Sequence, residues 1–410
     1  MTGSGQQQHL VILFAFHFPP ENAVGGARPY RFFKYLNKHN YACHVITAAE
    51  QDGRLGDRVH YVPDEGQSGK GTGWQVERAV RKFIMPGVTG VAWSHAAAAK
   101  GSEIIRQHPG ARVSLVSTYP PLGVLLASMR LSRMERVPWV ADFRDPFPDK
   151  PSDKCEKPFH MWMHSRMERI VFRSATRIIA NTDSAGLTWQ TRYPKRRDHI
   201  HVIWNGFDPD NRAVAAPLPV DRPYRLYSHV GELYAGRTVA PLLESIGRLI
   251  GNGRIAPGEV RIQLTGAMKG PVLPPPDFTN RAIEAGWLEL QTTPVPKKEA
   301  ERIAATSNGL WLIQPQSAVQ VPGKLYDYIQ LGRPVLAFVP PSSPVERLLS
   351  TSGIEYRCIY PEMSPETMDT LMYEYLRLPC EARQPSADFE DRFNGERQTF
   401  TLERLLDGMH

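Results

Sequence analysis

Cysteine is scarce in this 410-residue chain: Cys43, Cys155, Cys358 and Cys380 lie far apart, with no Cys-x-x-Cys and no pairing pattern. That argues against a disulfide framework and predicts free thiols in a reducing compartment. Long apolar runs are missing too. The longest near the amino terminus, Leu10–Phe16, is only strand length, and nothing approaches the roughly 20 residues that span a bilayer. The start, MTGSGQQQ, has neither the basic residues nor the apolar run of a secretory signal. The expectation is a cytoplasmic protein, or one held peripherally on the cytosolic face of a membrane. Internal repeats and low-complexity tails are also absent.

What is present is an ordinary globular composition, 41% hydrophobic and 22% charged, over a length that calls for two domains. The charge is uneven. Residues 1–205 hold 28 Lys+Arg against 17 Asp+Glu, a net of +11, and the remainder a net of −4. A basic first half suits anionic partners such as membrane head groups, a phosphate-bearing acceptor or nucleic acid.

Strand and helix patterns alternate throughout, which predicts an α/β protein with largely parallel sheets. Strands are expected at Leu10–Phe16, His44–Thr47, Val113–Ser117, Trp139–Phe143, Arg177–Asn181 and His201–Trp204. A second series follows at Tyr224–Gly231, Val260–Thr265, Leu288–Leu290, Gly309–Ile313 and Pro334–Val339. Helical patterns lie between them, among them Arg28–His39, Gln75–Ile84, Phe159–Ser174, Asn280–Ala285 and Lys324–Leu331. The proline-rich stretch Gly206–Pro223 reads as the linker. Gln51–Gly73, Pro146–Pro158 and Ala267–Phe278 read as long loops of the kind that bind or cover ligands.

Four segments carry candidate chemistry. In Val321–Phe338, VPGKLYDYIQLGRPVLAF, a Pro-Gly turn leads into a helix that begins with Lys324, is capped by Gly332, and runs into an apolar strand. A lysine at a helix N-terminus suits a phosphate. In Phe16–Arg31, the pair Gly25–Gly26 lets backbone amides approach a ligand, in a sequence that is not the Gly-x-Gly-x-x-Gly of a dinucleotide fold. In Ser117–Arg144 and just beyond, Asp142, Arg144 and Asp145 cluster at a strand end and are expected to face a cleft. In His229–Arg237, HVGELYAGR, Gly231 permits close backbone approach and Arg237 can clamp a diphosphate. Asp327, one turn after Lys324, is placed to accept from sugar hydroxyls.

PPENAVGGARPYR, VPWVADFRDPF, ANTDSAG, VIWNGFDPD, HVGELYAGR and PGKLYDYIQLGRPVLAF occur in that order. Together they resemble the retaining glycosyltransferases of family 4. The resemblance implies the GT-B architecture, two Rossmann-like doubly wound domains facing each other across a cleft. It gives residues 1–205 as an acceptor-binding domain, 206–385 as a nucleotide-sugar-binding domain, and 386–410 as a helix crossing back to the first. It implies transfer of a sugar from a nucleotide-diphosphate sugar to a carbohydrate or lipid-linked acceptor, in bacterial polysaccharide, glycolipid or glycoconjugate biosynthesis, including that of the cell envelope. Neither a metal nor a further cofactor is implied, nor is nucleic acid a partner.

Carried over position by position, Gly25 and Gly26 resemble the family's donor loop. Arg237 stands at its diphosphate-binding lysine, and Lys324 at the lysine of its Pro-x-Lys-Leu-x-Glu-Tyr branch. Asp327 stands at the second glutamate of Glu-x7-Glu, and Asn205, Gly206 and Asp208 match its Asn-Gly-x-Asp loop. Arg144 and Asp145 join Arg237 and Lys324 as the candidate catalytic groups. Two positions depart: Val319 replaces the first glutamate of Glu-x7-Glu, and Glu232 stands where the family has arginine. They leave a non-catalytic binding or scaffold protein as one rival function; a GT-B nucleotide-sugar epimerase, another chemistry of the same architecture, is the other.

The helix Gln75–Ile84 sets Val76, Val80, Phe83 and Ile84 among Arg78, Arg81 and Lys82. That gives it membrane-surface character, although packing on a core is the favoured expectation. His160 and His164 lack a third metal ligand, and His17 is placed either at the acceptor or in a plain loop.

Overall fold

Leu10–Phe14 is a run of five residues with no exposed surface. Successive strand side chains point to opposite faces, so such a run requires cover on both sides. The computed structural model, which describes residues 8–20, 24–51, 53–67, 69–85, 88–147, 158–219, 221–234 and 236–410, supplies it. The strands β1 (His9–Phe14), β2 (Ala42–Thr47), β3 (Val59–Tyr61), β4 (Arg112–Tyr119), β5 (Trp139–Phe143), β6 (Arg177–Ala180) and β7 (Ile200–Val202) form one parallel sheet in the order β3-β2-β1-β4-β5-β6-β7. Leu10 sits beside Ala42 on one side and Val113 on the other. Leu10, Ile12 and Phe14 pack with Trp93, Ala97 and Leu131, whereas Val11 and Leu13 pack on the opposite face with Phe32, Leu36, Leu402 and Leu406.

Leu402 and Leu406 come from the last helix, Gly395–Asp407. It lies against the helix Ala27–Lys38, where Glu396 meets Lys38 at 2.7 Å and Glu403 meets His39 Nδ1 at 2.6 Å. Contacts thus group Met1–Gly206 with Gly395–His410, and set Phe207–Asn394 apart as a second unit.

That unit has its own parallel sheet of β8 (Arg225–Val230), β9 (Val260–Thr265), β10 (Leu288–Gln291), β11 (Gly309–Ile313), β12 (Val335–Phe338) and β13 (Tyr356–Ile359), in the order β10-β9-β8-β11-β12-β13. Tyr227, Leu264, Trp311 and Leu336 form a core with Leu242, Ile246, Met372 and Tyr375. Each unit is therefore doubly wound and Rossmann-like. In each, the strand order reverses beside the first strand, between β1 and β4 and between β8 and β11. Ligands of open parallel sheets bind outside the carboxyl ends of the strands at that reversal.

Several elements differ from expectation. β3 forms inside Gln51–Gly73, because the edge beside β2 accepts a three-residue strand with partly exposed side chains. The helix Pro276–Glu284 starts within the expected loop Ala267–Phe278: Pro276, third of three prolines, occupies the helix's first position, where its missing N–H costs nothing. The helix Pro365–Leu376 was readable from Ser364, whose hydroxyl accepts from Thr367 N at 3.3 Å, and from Pro365 directly after it. Cys43, Cys358 and Cys380 are free thiols. Cys155 and most of Pro146–Pro158 lie outside the described residues.

Candidate functional site

In the second unit, β8 ends at Val230 and the chain turns at Gly231 with φ +136°, a value that side chains resist. The turn is also crowded. A Cβ on Gly231 would stand 2.3 Å from Lys324 Nζ, so glycine is needed for conformation and for room. Lys324 opens the helix Lys324–Leu331, and Gly332 closes it at φ 66°, the left-handed cap expected. The Lys324 ammonium donates to the Val230 carbonyl at 2.7 Å. Its burial and the nearby Arg237 charge lower its pKa from 10.5 to about 7. Behind it, His229 is buried and donates from Nδ1 to the Trp311 carbonyl at 3.0 Å. Burial and the Lys324 charge hold that imidazole neutral, its pKa well below 6.5.

Arg237 lies with its guanidinium 4.5 Å from the Tyr234 ring centroid. The Gln316 amide, in the orientation that satisfies both groups, accepts from Arg237 Nε at 3.2 Å and donates to the Gly236 carbonyl at 3.0 Å. The helix start, Lys324 and Arg237 thus gather positive charge at the carboxyl end of β8, beside the strand-order reversal. Such an arrangement attracts a phosphate or diphosphate. Asp327 is exposed in the first turn of the same helix. Glu232 is exposed and pairs with Lys269, so it adds an acid to the rim where the family resemblance implies a cation.

In the first unit, the expected cluster of Asp142, Arg144 and Asp145 is divided. Asp142 is wholly buried and cannot face a cleft. It accepts a two-pronged ion pair from Arg28, at 2.7 Å from Nη2 and 2.9 Å from Nε. Arg28 also donates to the Trp204 and Ile203 carbonyls at 2.7 and 2.8 Å, and reaches Asn205 Oδ1 at 3.5 Å. Arg28 thereby holds the loop containing Asn205 and the buried Gly206 to the start of its own helix.

Arg144 turns the other way. Its Nη1 donates to the Gly25 carbonyl at 2.6 Å, its Nη2 donates to the Pro120 carbonyl, and its own carbonyl accepts from Asn181 Nδ2. It fixes the shape of the Gly25–Gly26 turn. Burial lowers the Arg144 pKa from its ordinary value, and the half-buried Asp145 beside it works against that shift. Gly25 and Gly26 lie in a tight turn that runs directly into the helix Ala27–Lys38.

Arg28, His229, Asn181 and Gln316 were missed as parts of these sites. Arg28 carried a signal as a cation two residues after a glycine pair, and His229 and Asn181 lie inside segments singled out above. Gln316 meets Arg237 only in space. Among the described residues, no three His, Cys, Asp or Glu side chains are grouped closely enough to hold a metal ion.

Residues 26–211 match the family model described as Glycosyltransferase Family 4. None of the curated proteins matches the sequence. Among solved structures, the chain is similar to HepE of Anabaena in complex with UDP and glucose, at 13% identity and a TM-score of 0.59, over 97% of this chain and 99% of that one. It is similar to a sucrose-phosphate synthase of Thermosynechococcus elongatus, at 11% identity and 0.61, over 98% and 99%. A UDP-forming trehalose-phosphate synthase of Burkholderia vietnamiensis follows at 12% and 0.60, over 98% and 99%.

Proposed function

We propose, from the match of residues 26–211 to the model of Glycosyltransferase Family 4 and from the GT-B fold, that this protein is a glycosyltransferase that moves a sugar from a nucleotide-diphosphate sugar to an acceptor hydroxyl with retention of configuration. The observation that carries this reading is the gathering of Lys324 and Arg237 around the end of β8. As the bond between the sugar's anomeric carbon and the diphosphate oxygen breaks, negative charge grows on that oxygen. Two cations fixed beforehand stabilise the charge without reorganisation and without a metal. The acceptor hydroxyl bonds to the anomeric carbon and gives its proton to the departing phosphate oxygen. Asp327 meets the donor's sugar hydroxyls.

The basic first unit takes the acceptor, a carbohydrate or a lipid-linked sugar, near Gly25–Gly26, Asp145, Asn205 and Gly206. The pathway is bacterial polysaccharide, glycolipid or glycoconjugate biosynthesis, with the enzyme in the cytoplasm.

A panel of nucleotide sugars, scored for affinity, for slow donor hydrolysis and for transfer to carbohydrate acceptors, tests this. Binding, hydrolysis and transfer from one donor support it. The Glu232–Lys269 pair favours a second reading, a binding protein without turnover. Tight binding of one donor with no hydrolysis and no transfer would establish that reading instead. Release of free nucleotide and an epimerised sugar would mark an epimerase.

The reading also sets a pH dependence. A lysine with a pKa of about 7 is charged below that value and loses its proton as pH rises through it. Nucleoside-diphosphate affinity should therefore fall above neutrality, by at most about tenfold per pH unit. In Lys324→Arg the fall should vanish, because guanidinium stays charged. Calorimetric titration across the range from weakly acidic to weakly alkaline pH reads both; a flat profile in the unsubstituted protein removes Lys324 from the phosphate site.

A further inference from the structure

Two adjoining surface elements of the first unit join exposed apolar side chains to cations, and the acids between those cations point inward. The helix Gly71–Ala79 continues into a wider turn, Val80–Ile84, closed by Met85 N to Val80 O at 2.8 Å. Packing was the favoured expectation for its apolar residues, and Val80 does pack on the core. Val76, Phe83 and Ile84 remain in solvent, however, with Phe83 63% exposed. Arg78 and Lys82 are exposed among them. The acid within this stretch, Glu77, is buried and accepts from Ala92 N at 3.1 Å.

The helix Pro158–Ser174 packs against the same turn. Phe159 and Trp162 stack on its surface with ring centroids 6.0 Å apart, Trp162 being 49% exposed. Arg166, Arg169 and Arg173 extend their stripe at alternating spacings of four and three residues, all exposed. Here too the acid turns inward: Glu168 is buried, bonded to Arg192 at 2.9 Å and to the Tyr193 hydroxyl at 2.6 Å. Lys82 Nζ and Arg166 Cζ lie 5.1 and 5.4 Å from the rings of Phe83 and Trp162, so charge borders each ring.

A soluble polyanion would meet these cations and leave Phe83 and Trp162 in water. A neutral apolar surface would meet the rings and leave the cations unpaired. A bilayer with anionic head groups satisfies both, since rings enter its interface and Lys and Arg stay at the phosphates. We propose that this face docks the protein on an anionic lipid surface, with Phe83 and Trp162 as the inserted groups. The proposal is independent of what the enzyme transfers.

Sedimentation with vesicles of equimolar phosphatidylglycerol and phosphatidylcholine, against vesicles of phosphatidylcholine alone, tests it. The protein should partition to the anionic vesicles and be released by salt. Phe83→Ser with Trp162→Ser, and separately Lys82→Glu with Arg166→Glu, should each weaken partitioning by about tenfold or more. All four side chains are at the surface, so the variants should fold. Leu187→Ser, which removes an exposed leucine elsewhere in the same unit, should change nothing. No partitioning to anionic vesicles, equal partitioning to both kinds, or equal loss in Leu187→Ser would overturn the proposal.

Discussion

Asp142→Ala should destabilise the first unit by about 3–5 kcal/mol, the cost of leaving a buried charge without its partner. Arg28 is 3% exposed and Asp142 0%, so water cannot replace the lost carboxylate. The two carbonyls that Arg28 also binds would remain, but neither carries a full charge. For a unit of this size the melting temperature should fall by roughly 6–20 °C. Replacing both members, as Arg28→Met with Asp142→Leu, removes both desolvated charges and should cost less than either single change. Thermal or urea unfolding followed by circular dichroism gives all four corners of that cycle. If Asp142→Ala melted with the unsubstituted protein, the pair would contribute nothing and the Asn205–Gly206 loop would be held by other means.

Lys324→Ala should cut turnover by about tenfold to a hundredfold, matching the 1.5–3 kcal/mol of a hydrogen bond to a charged group. Arg237→Ala should do the same. For either residue, a loss seen in both kcat and kcat/KM means that the contact strengthens as the leaving oxygen gains charge, whereas a rise in KM alone means equal binding of substrate and transition state. Stability should hold in Lys324→Ala, because the amine removed is a desolvated charge that donates to a backbone carbonyl, that of Val230. Full activity and full donor affinity in Lys324→Ala would sink the phosphate assignment, with the melting temperature as the check that the variant is folded.

Much of this protein is fixed by short-range pattern. Apolar runs such as Leu10–Phe14 and Gly309–Ile313 are covered on both faces, so they had to be interior parallel strands. The Pro-Gly turn, Lys324 and Gly332 mark a helix whose start lies at a strand end, because caps and turns act over a few residues. What sequence order could not decide is which charges meet. Asp142 stands beside Arg144 and Asp145 in the chain, yet its partner is Arg28, 114 positions away. Lys324 likewise finds the carbonyl of Val230, 94 positions earlier. Glu77 and Glu168 are indistinguishable in sequence from surface acids, and only packing turned them inward and left Phe83 and Trp162 outside. Patterning reports which face of an element is apolar on average. The choice of partner for a buried charge depends on which distant loops the sheet brings to one end, and that is settled only when the strands are in register.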